Sequence, residues 1–134
     1  LDSLMRRSGQ GAHLSQSVLE LAGPPDRARL DAAWRSFVAD YPLVVASLAR
    51  SWRTGLPVWR VPNPGKARAP MPITWWREPG AQGVDGEEAA SLEALCHQLR
   101  HTRSRKRATY NLRIDVLQRS GGKAAIVVTW SHLL

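Results

Sequence analysis

The chain of 134 residues contains one cysteine, one phenylalanine and no apolar run long enough to span a bilayer. A single thiol, Cys96, rules out an internal disulfide and with it the small stapled scaffolds of secreted proteins. A membrane helix needs about 20 apolar residues in succession, and the opening LDSLMRRSGQGAHLSQSVLEL also lacks the continuous apolar stretch of a secretory leader. A soluble, cytoplasmic protein without a membrane partner is expected. Acidic residues are scarce as well: eleven Asp and Glu stand against nineteen Lys and Arg, a formal charge of +8. That imbalance favours anionic partners, among them nucleic acid, phosphorylated cofactors and acidic carrier proteins, and selects none of them.

What the sequence does hold is core-forming material. It is 43% hydrophobic and carries six tryptophans, which argues against wholesale disorder. Its length suits one hydrophobic core, so residues 1–134 read as one domain or one lobe of a larger enzyme.

Residues 13–21, HLSQSVLEL, suit a first strand, although Gln16 and Glu20 leave a short helix open. GPPD then turns the chain, with Asp26 placed to accept from the first free helical amides. In DRARLDAAWRSFVAD the residues Leu30, Ala33, Trp34, Phe37 and Val38 recur every three or four positions, which predicts a helix over about 26–40 with one apolar stripe, ended by Pro42. Residues 43–50 and 56–61 read as extended around RTG, with Pro57 marking an edge or irregular strand. VPNPGKARAP reads as an exposed loop and MPITWWREP as a short strand. A second helix is predicted over about 86–100, started by a capping box of Asp85 and Glu88 and lined by Ala89, Leu92, Leu95, Cys96 and Leu99.

The chain closes with YNLRIDVLQ and KAAIVVTW joined through RSGG. Leu112, Ile114 and Val116 alternate with Arg113 and Asp115, as in a strand with one exposed face. Gly121 and Gly122 suit a tight turn, and the second strand is apolar enough to be covered on both faces. That strand delivers His132 at its carboxyl end. An imidazole there is a candidate general base, because its near-neutral pKa permits proton exchange at physiological pH; a satisfied structural histidine is the competing reading. The physical class is α/β (α+β), a mixed β-sheet covered by helices.

Taken together, LDAAWRSFVADYPLVVASLARSWRTGLPVWRV and TYNLRIDVLQRSGGKAAIVVTWSHLL resemble the first half of the chloramphenicol-acetyltransferase-like superfamily, which includes the condensation domains of peptide synthetases. The resemblance covers roughly residues 10–134. It implies a CoA-dependent acyltransferase-like N-terminal lobe, incomplete by itself, that meets a second lobe from the same or another chain at a cleft. The family mark is His-x-x-x-Asp, often preceded by a further His; Ser131 takes the optional first position, His132 the catalytic one, and the Asp would fall two residues past Leu134. The implied reaction moves an acyl group from a CoA or carrier-protein thioester to an alcohol or amine, with His132 as base. The implied substrates are acyl-CoA or an acyl-phosphopantetheinyl carrier protein, and no tightly bound cofactor is expected.

Other residues have their bland readings beside the functional ones. Arg103, Arg105, Lys106 and Arg107, with Arg100, form the densest basic tract; it could attract the phosphates of coenzyme A or phosphopantetheine, or be a solvated loop. His97 and His101 lie one helical turn apart, a spacing compatible with a shared metal, but no third ligand is evident and no metal site is assigned. His13, near the start of the first candidate strand, could face the mouth of the cleft, with a turn or surface role as the favoured reading. Cys96, on an apolar helix face, reads as a buried structural thiol. Two further classes stay open: a non-catalytic interaction lobe, and a nucleic-acid-binding protein in which Trp75 and Trp76 stack on bases. The second lacks any helix-turn-helix, zinc-finger or single-strand-binding motif to organise the charge.

Overall fold

Asp26 fixes where the first helix begins. Its backbone is extended and its Oδ1 accepts the Arg29 amide proton at 2.8 Å, so one of the helix's otherwise unpaired donors is satisfied locally. This is seen in a computed structural model that describes residues 14–61, 73–81, 86–101 and 112–131. Helix α1 runs Arg27–Asp40, as the spacing predicts. It ends with the Tyr41 amide donating to Phe37 O at 2.8 Å, and Pro42–Val45 then form one 3-10 turn in place of the start of the expected strand.

Among the described residues seven strands follow in order: β1 (Leu14–Leu21), β2 (Ser47–Arg50), β3 (Pro57–Arg60), β4 (Thr74–Arg77), β5 (Glu87–Glu88), β6 (Leu112–Gln118) and β7 (Ala124–Ser131). Five of them form a mixed sheet in the order β1-β7-β6-β4-β5, while β2 and β3 pair antiparallel as a separate hairpin. Strand β7 is antiparallel to both of its neighbours; β4 is parallel to β5 and β6. Two adjacent parallel strands need a crossover, and helix α2 (Leu92–His101) lies in the connection from β4 to β6. Residues 14–21 are therefore strand, which closes the helical alternative for that segment.

The sheet is covered on both faces. Leu95, Cys96 and Leu99 of α2 pack with Ala89, Trp76, Leu117 and Val127. Trp34 and Val44 pack on the other side with Ile73, Trp75 and Val116, joined by half-buried Leu30, Val38, Leu112, Ile114 and Ile126. Successive side chains in a strand point to opposite faces, so Trp75 and Trp76 enter different cores.

Three further sequence expectations are corrected. The second helix starts later than 86, because Glu87 and Glu88 pair with Trp76 and Arg77 as a short edge strand, and Ser91 caps the helix by accepting the Ala94 amide at 3.1 Å. Glu88 is thus no capping residue; Asp85 lies outside the described residues. The apolar stripe of α1 splits: Leu30, Trp34 and Val38 turn to the sheet, whereas Ala33 and Phe37 stay exposed. Asp115 does not face solvent but is fully buried. No helix among the described residues is long and apolar enough to cross a membrane.

Candidate functional site

The β6–β7 hairpin carries the chain toward its candidate base. Its turn uses Gly121 (φ 72°) and Gly122 (φ 74°), where a β-carbon would clash with its own backbone, and the Arg119 amide closes it on Lys123 O at 2.9 Å. Register then pairs Gln118 with Ala124 and Leu112 with Trp130. On the other side Leu14 pairs with Ser131, so β7 is held between two strands from Ala124 to Trp130 and by β1 at Ser131. His132 follows directly in sequence and lies outside the described residues, as do Leu133 and Leu134.

On the α2 face, beside the middle of β7 where Asp115 pairs with Val127, sits a buried polar cluster. Asp115 accepts from Trp76 Nε1 at 2.7 Å, from Arg113 Nε at 2.7 Å and from Arg113 Nη2 at 2.6 Å. The indole comes from the parallel neighbour β4, and the guanidinium from two positions earlier on the same strand, hence the same face. Burial pushes the Asp115 carboxyl above the ordinary aspartate value, against the downward pull of the Arg113 hydrogen bonds and charge and of the Trp76 donor. With both oxygens engaged, this carboxylate is a brace between strands rather than a proton acceptor for substrate. Its burial was missed because alternation with apolar residues reads equally as one wet face; the local signal available was an Arg two positions before it, a donor able to compensate a buried charge, whereas the Trp76 donor is 39 residues away.

A second polar link lies on the same face. Gln16 Nε2 donates to Thr129 Oγ1 at 3.3 Å, across the β1–β7 pair, and to Cys96 O at 3.2 Å, tying α2 to both strands. The Cys96 thiol is buried, and desolvation raises its pKa above the usual thiol value, with the Asp115 charge adding to that and Arg100 opposing it. Such a thiol is a packing residue, as its sequence position suggested.

The remaining candidates divide by whether the structure describes them. The basic residues Arg103, Arg105, Lys106 and Arg107, and His13, lie outside the described residues. Arg100 places its Nε 3.4 Å from Cys96 O, at the carboxyl end of α2. His97 and His101 are exposed with ring centroids 4.3 Å apart, and among the described residues no three His, Cys, Asp or Glu side chains gather into a metal site. Trp75 and Trp76 are buried on opposite faces, and Arg27 sits over the Trp75 ring at 4.5 Å. Neither indole is free to stack on a base, which corrects that part of the nucleic-acid reading. A depression lined by Arg77, Glu78, Pro79, Gly80, Ala81 and Glu88 lies at the carboxyl end of β4, the opposite end of the sheet from Ser131.

Comparison with known proteins places this architecture. No protein-family profile matches the chain, and no curated protein matches it. Solved structures do. The first condensation domain of the calcium-dependent antibiotic synthetase matches with a TM-score of 0.67 and 20% identity, over 98% of this chain and 30% of that one. The X-domain from teicoplanin biosynthesis matches at 0.61 and 18%, over 96% and 25%. The starter condensation domain of rhizomide synthetase matches at 0.63 and 12%, over 96% and 28%. The chain thus spans about a third or less of the length of these neighbours, and its mixed α/β fold is one found within condensation domains of biosynthetic synthetases.

Proposed function

We propose that this chain is part of an acyltransferase of the condensation-domain type, which passes an acyl or peptidyl group from a carrier-protein or coenzyme A thioester to an alcohol or amine. The observation that carries the proposal is the match of almost the whole chain to condensation domains, coupled with a sheet whose interior strand β7 leads directly into His132. A further neighbour, at a TM-score of 0.52 and 16% identity, comes from work on condensation domain-mediated chain release from the enacyloxin polyketide synthase.

In the proposed reaction the Nε2 atom of neutral His132 takes the proton of the acceptor hydroxyl or amine as its oxygen or nitrogen attacks the thioester carbonyl. The tetrahedral intermediate collapses with cleavage of the carbon–sulfur bond, and the departing thiolate receives the proton from His132. No acyl-enzyme is needed; Cys96, buried and protonated, is unsuited to form one. The Gln16 link to Thr129 would help keep β7 fixed, with Asp115 bracing the neighbouring β6 to β4, which matters because general-base catalysis depends on close placement of the imidazole. The phosphate-facing role of Arg103, Arg105, Lys106 and Arg107 belongs to the same proposal, as does a second lobe completing the cleft.

The test is transfer from coenzyme A and carrier-protein thioesters by the complete protein, alongside a His132→Ala variant. Loss of turnover in the variant is expected, with binding of the donor retained. A lobe that only holds partners would bind donors and transfer nothing in either form.

A further inference from the structure

The β2–β3 hairpin stands apart from the five-stranded sheet and is paired within itself. An isolated two-stranded hairpin is marginally stable in water, so one that keeps its shape needs either local closure or a partner. Local closure is present: the Ser51 amide donates to Leu56 O at 2.8 Å, the Gly55 amide to Ser51 O at 2.8 Å, and Gly55 takes φ 69°. The tip is thus set in advance, which lowers the ordering cost of any contact it makes.

What it displays is unusual for a free surface. Trp52 is 87% exposed and Leu56 62%, and Val58, Trp59 and Val61 are exposed with them. Between them stand Arg50, Arg53 and Arg60, all exposed, and residues 47–61 contain no Asp or Glu. Among the described residues none of these three guanidiniums has an ion-pair partner; Arg53 lies over the Trp52 ring at 5.2 Å to the centroid. Exposed Trp and Arg side by side are the residues that dominate binding energy in protein interfaces.

We infer that this hairpin is a docking element for an acidic protein domain whose carboxylates surround an apolar patch, and that a carrier domain is its occupant. The choice of a carrier rests on the acyl-transfer reading; the acidic character rests on the hairpin's own charge. A bilayer would call for apolar groups gathered at the tip with charge behind them, but Arg53 shares the tip with Trp52 and Arg60 adjoins Trp59 along β3. Single-stranded nucleic acid would call for open ring faces, and one face of Trp52 is occupied by Arg53. Interleaved charge and apolar surface fits a folded acidic partner better than either.

The test uses the complete protein and, as probe, a holo acyl carrier protein of a bacterial fatty-acid synthase, a strongly acidic helical domain. Dissociation constants are measured at low salt for the parent, for Trp52→Ala, and for the combined Arg50→Glu, Arg53→Glu and Arg60→Glu variant, with turnover of a small N-acetylcysteamine thioester as control. The charge-reversed variant should bind the carrier about tenfold or more weakly, with Trp52→Ala also weakened, while thermal unfolding and small-donor turnover stay as in the parent. An unchanged carrier dissociation constant overturns the inference, and so does hairpin-dependent binding of oligonucleotides or anionic vesicles without carrier binding. If no donor is turned over by any form, the acyl-transfer reading fails, yet the difference in carrier affinity still decides the role of the hairpin.

Discussion

Trp76 donates its indole proton to Asp115 across 2.7 Å between the parallel strands β4 and β6, and both residues are buried on the face covered by α2. Arg113 supplies the compensating charge from the rim of the same core. Truncation of Asp115 to Ala leaves an indole donor and a guanidinium without their acceptor and should cost about 3–5 kcal/mol of stability. Asp115→Asn keeps an oxygen for Trp76 and gives up the charge pair, so its loss should be smaller. Urea denaturation of the two variants beside the parent measures both; equal stability of the Ala variant and the parent would show that the cluster contributes nothing.

Acid should act on this group in the opposite direction from an exposed, salt-bridged carboxylate. Burial raises the Asp115 pKa in the folded chain above its ordinary value of 3.8, so the folded state holds a proton at a pH where the unfolded chain has released it. As pH falls through the folded value toward 3.8, Asp115 favours folding, and as pH rises through that window the contribution is lost. The stability of the parent relative to Asp115→Asn should therefore increase on acidification across the window, since other carboxylates titrate alike in both. A relative decrease would mean that Arg113 outweighs burial.

The legible parts of the fold were those with a strong local cause. Helix α1 was readable from Asp26 and a 3.6-residue spacing, and the β6–β7 turn from adjacent glycines. The start of α2 was not, because Glu87 and Glu88 favour a helix locally and are drawn into a strand only by the backbone of Trp76 and Arg77, distant in sequence. Asp115 was read as exposed for a similar reason: whether one or both faces of β6 are covered depends on α2 docking, which no stretch of β6 encodes. Of the candidate site, the approach of β7 was visible in its apolar run, whereas the Gln16–Thr129–Cys96 link joins segments about 80 and 113 residues apart and leaves no local pattern.

Gly86 should tolerate a side chain poorly. A β-carbon there would lie 3.0 Å from Trp75 O, a backbone atom that cannot swing away, as β5 approaches β4. Gly86→Ala should destabilise the protein by about 1–3 kcal/mol, measured by the shift of its urea midpoint. An unshifted midpoint would mean that this edge is loose enough to yield.

Cys96 should resist alkylation in the folded protein. Its thiol is buried and its pKa raised by desolvation, so little thiolate is available at neutral pH. Mass spectrometry after iodoacetamide treatment should find it unmodified in buffer and modified in denaturant. Rapid modification under native conditions would place the thiol at an accessible site and revive it as a nucleophile.

The central claim is that the interior strand β7 leads into an acid–base imidazole, His132, that meets a thioester. Single-turnover transfer by the complete protein, compared with His132→Ala on the same acyl carrier thioester, tests it most directly: loss of a general base should slow transfer by about 100-fold or more while the donor still binds. Transfer at the parent rate by the variant would contradict the account.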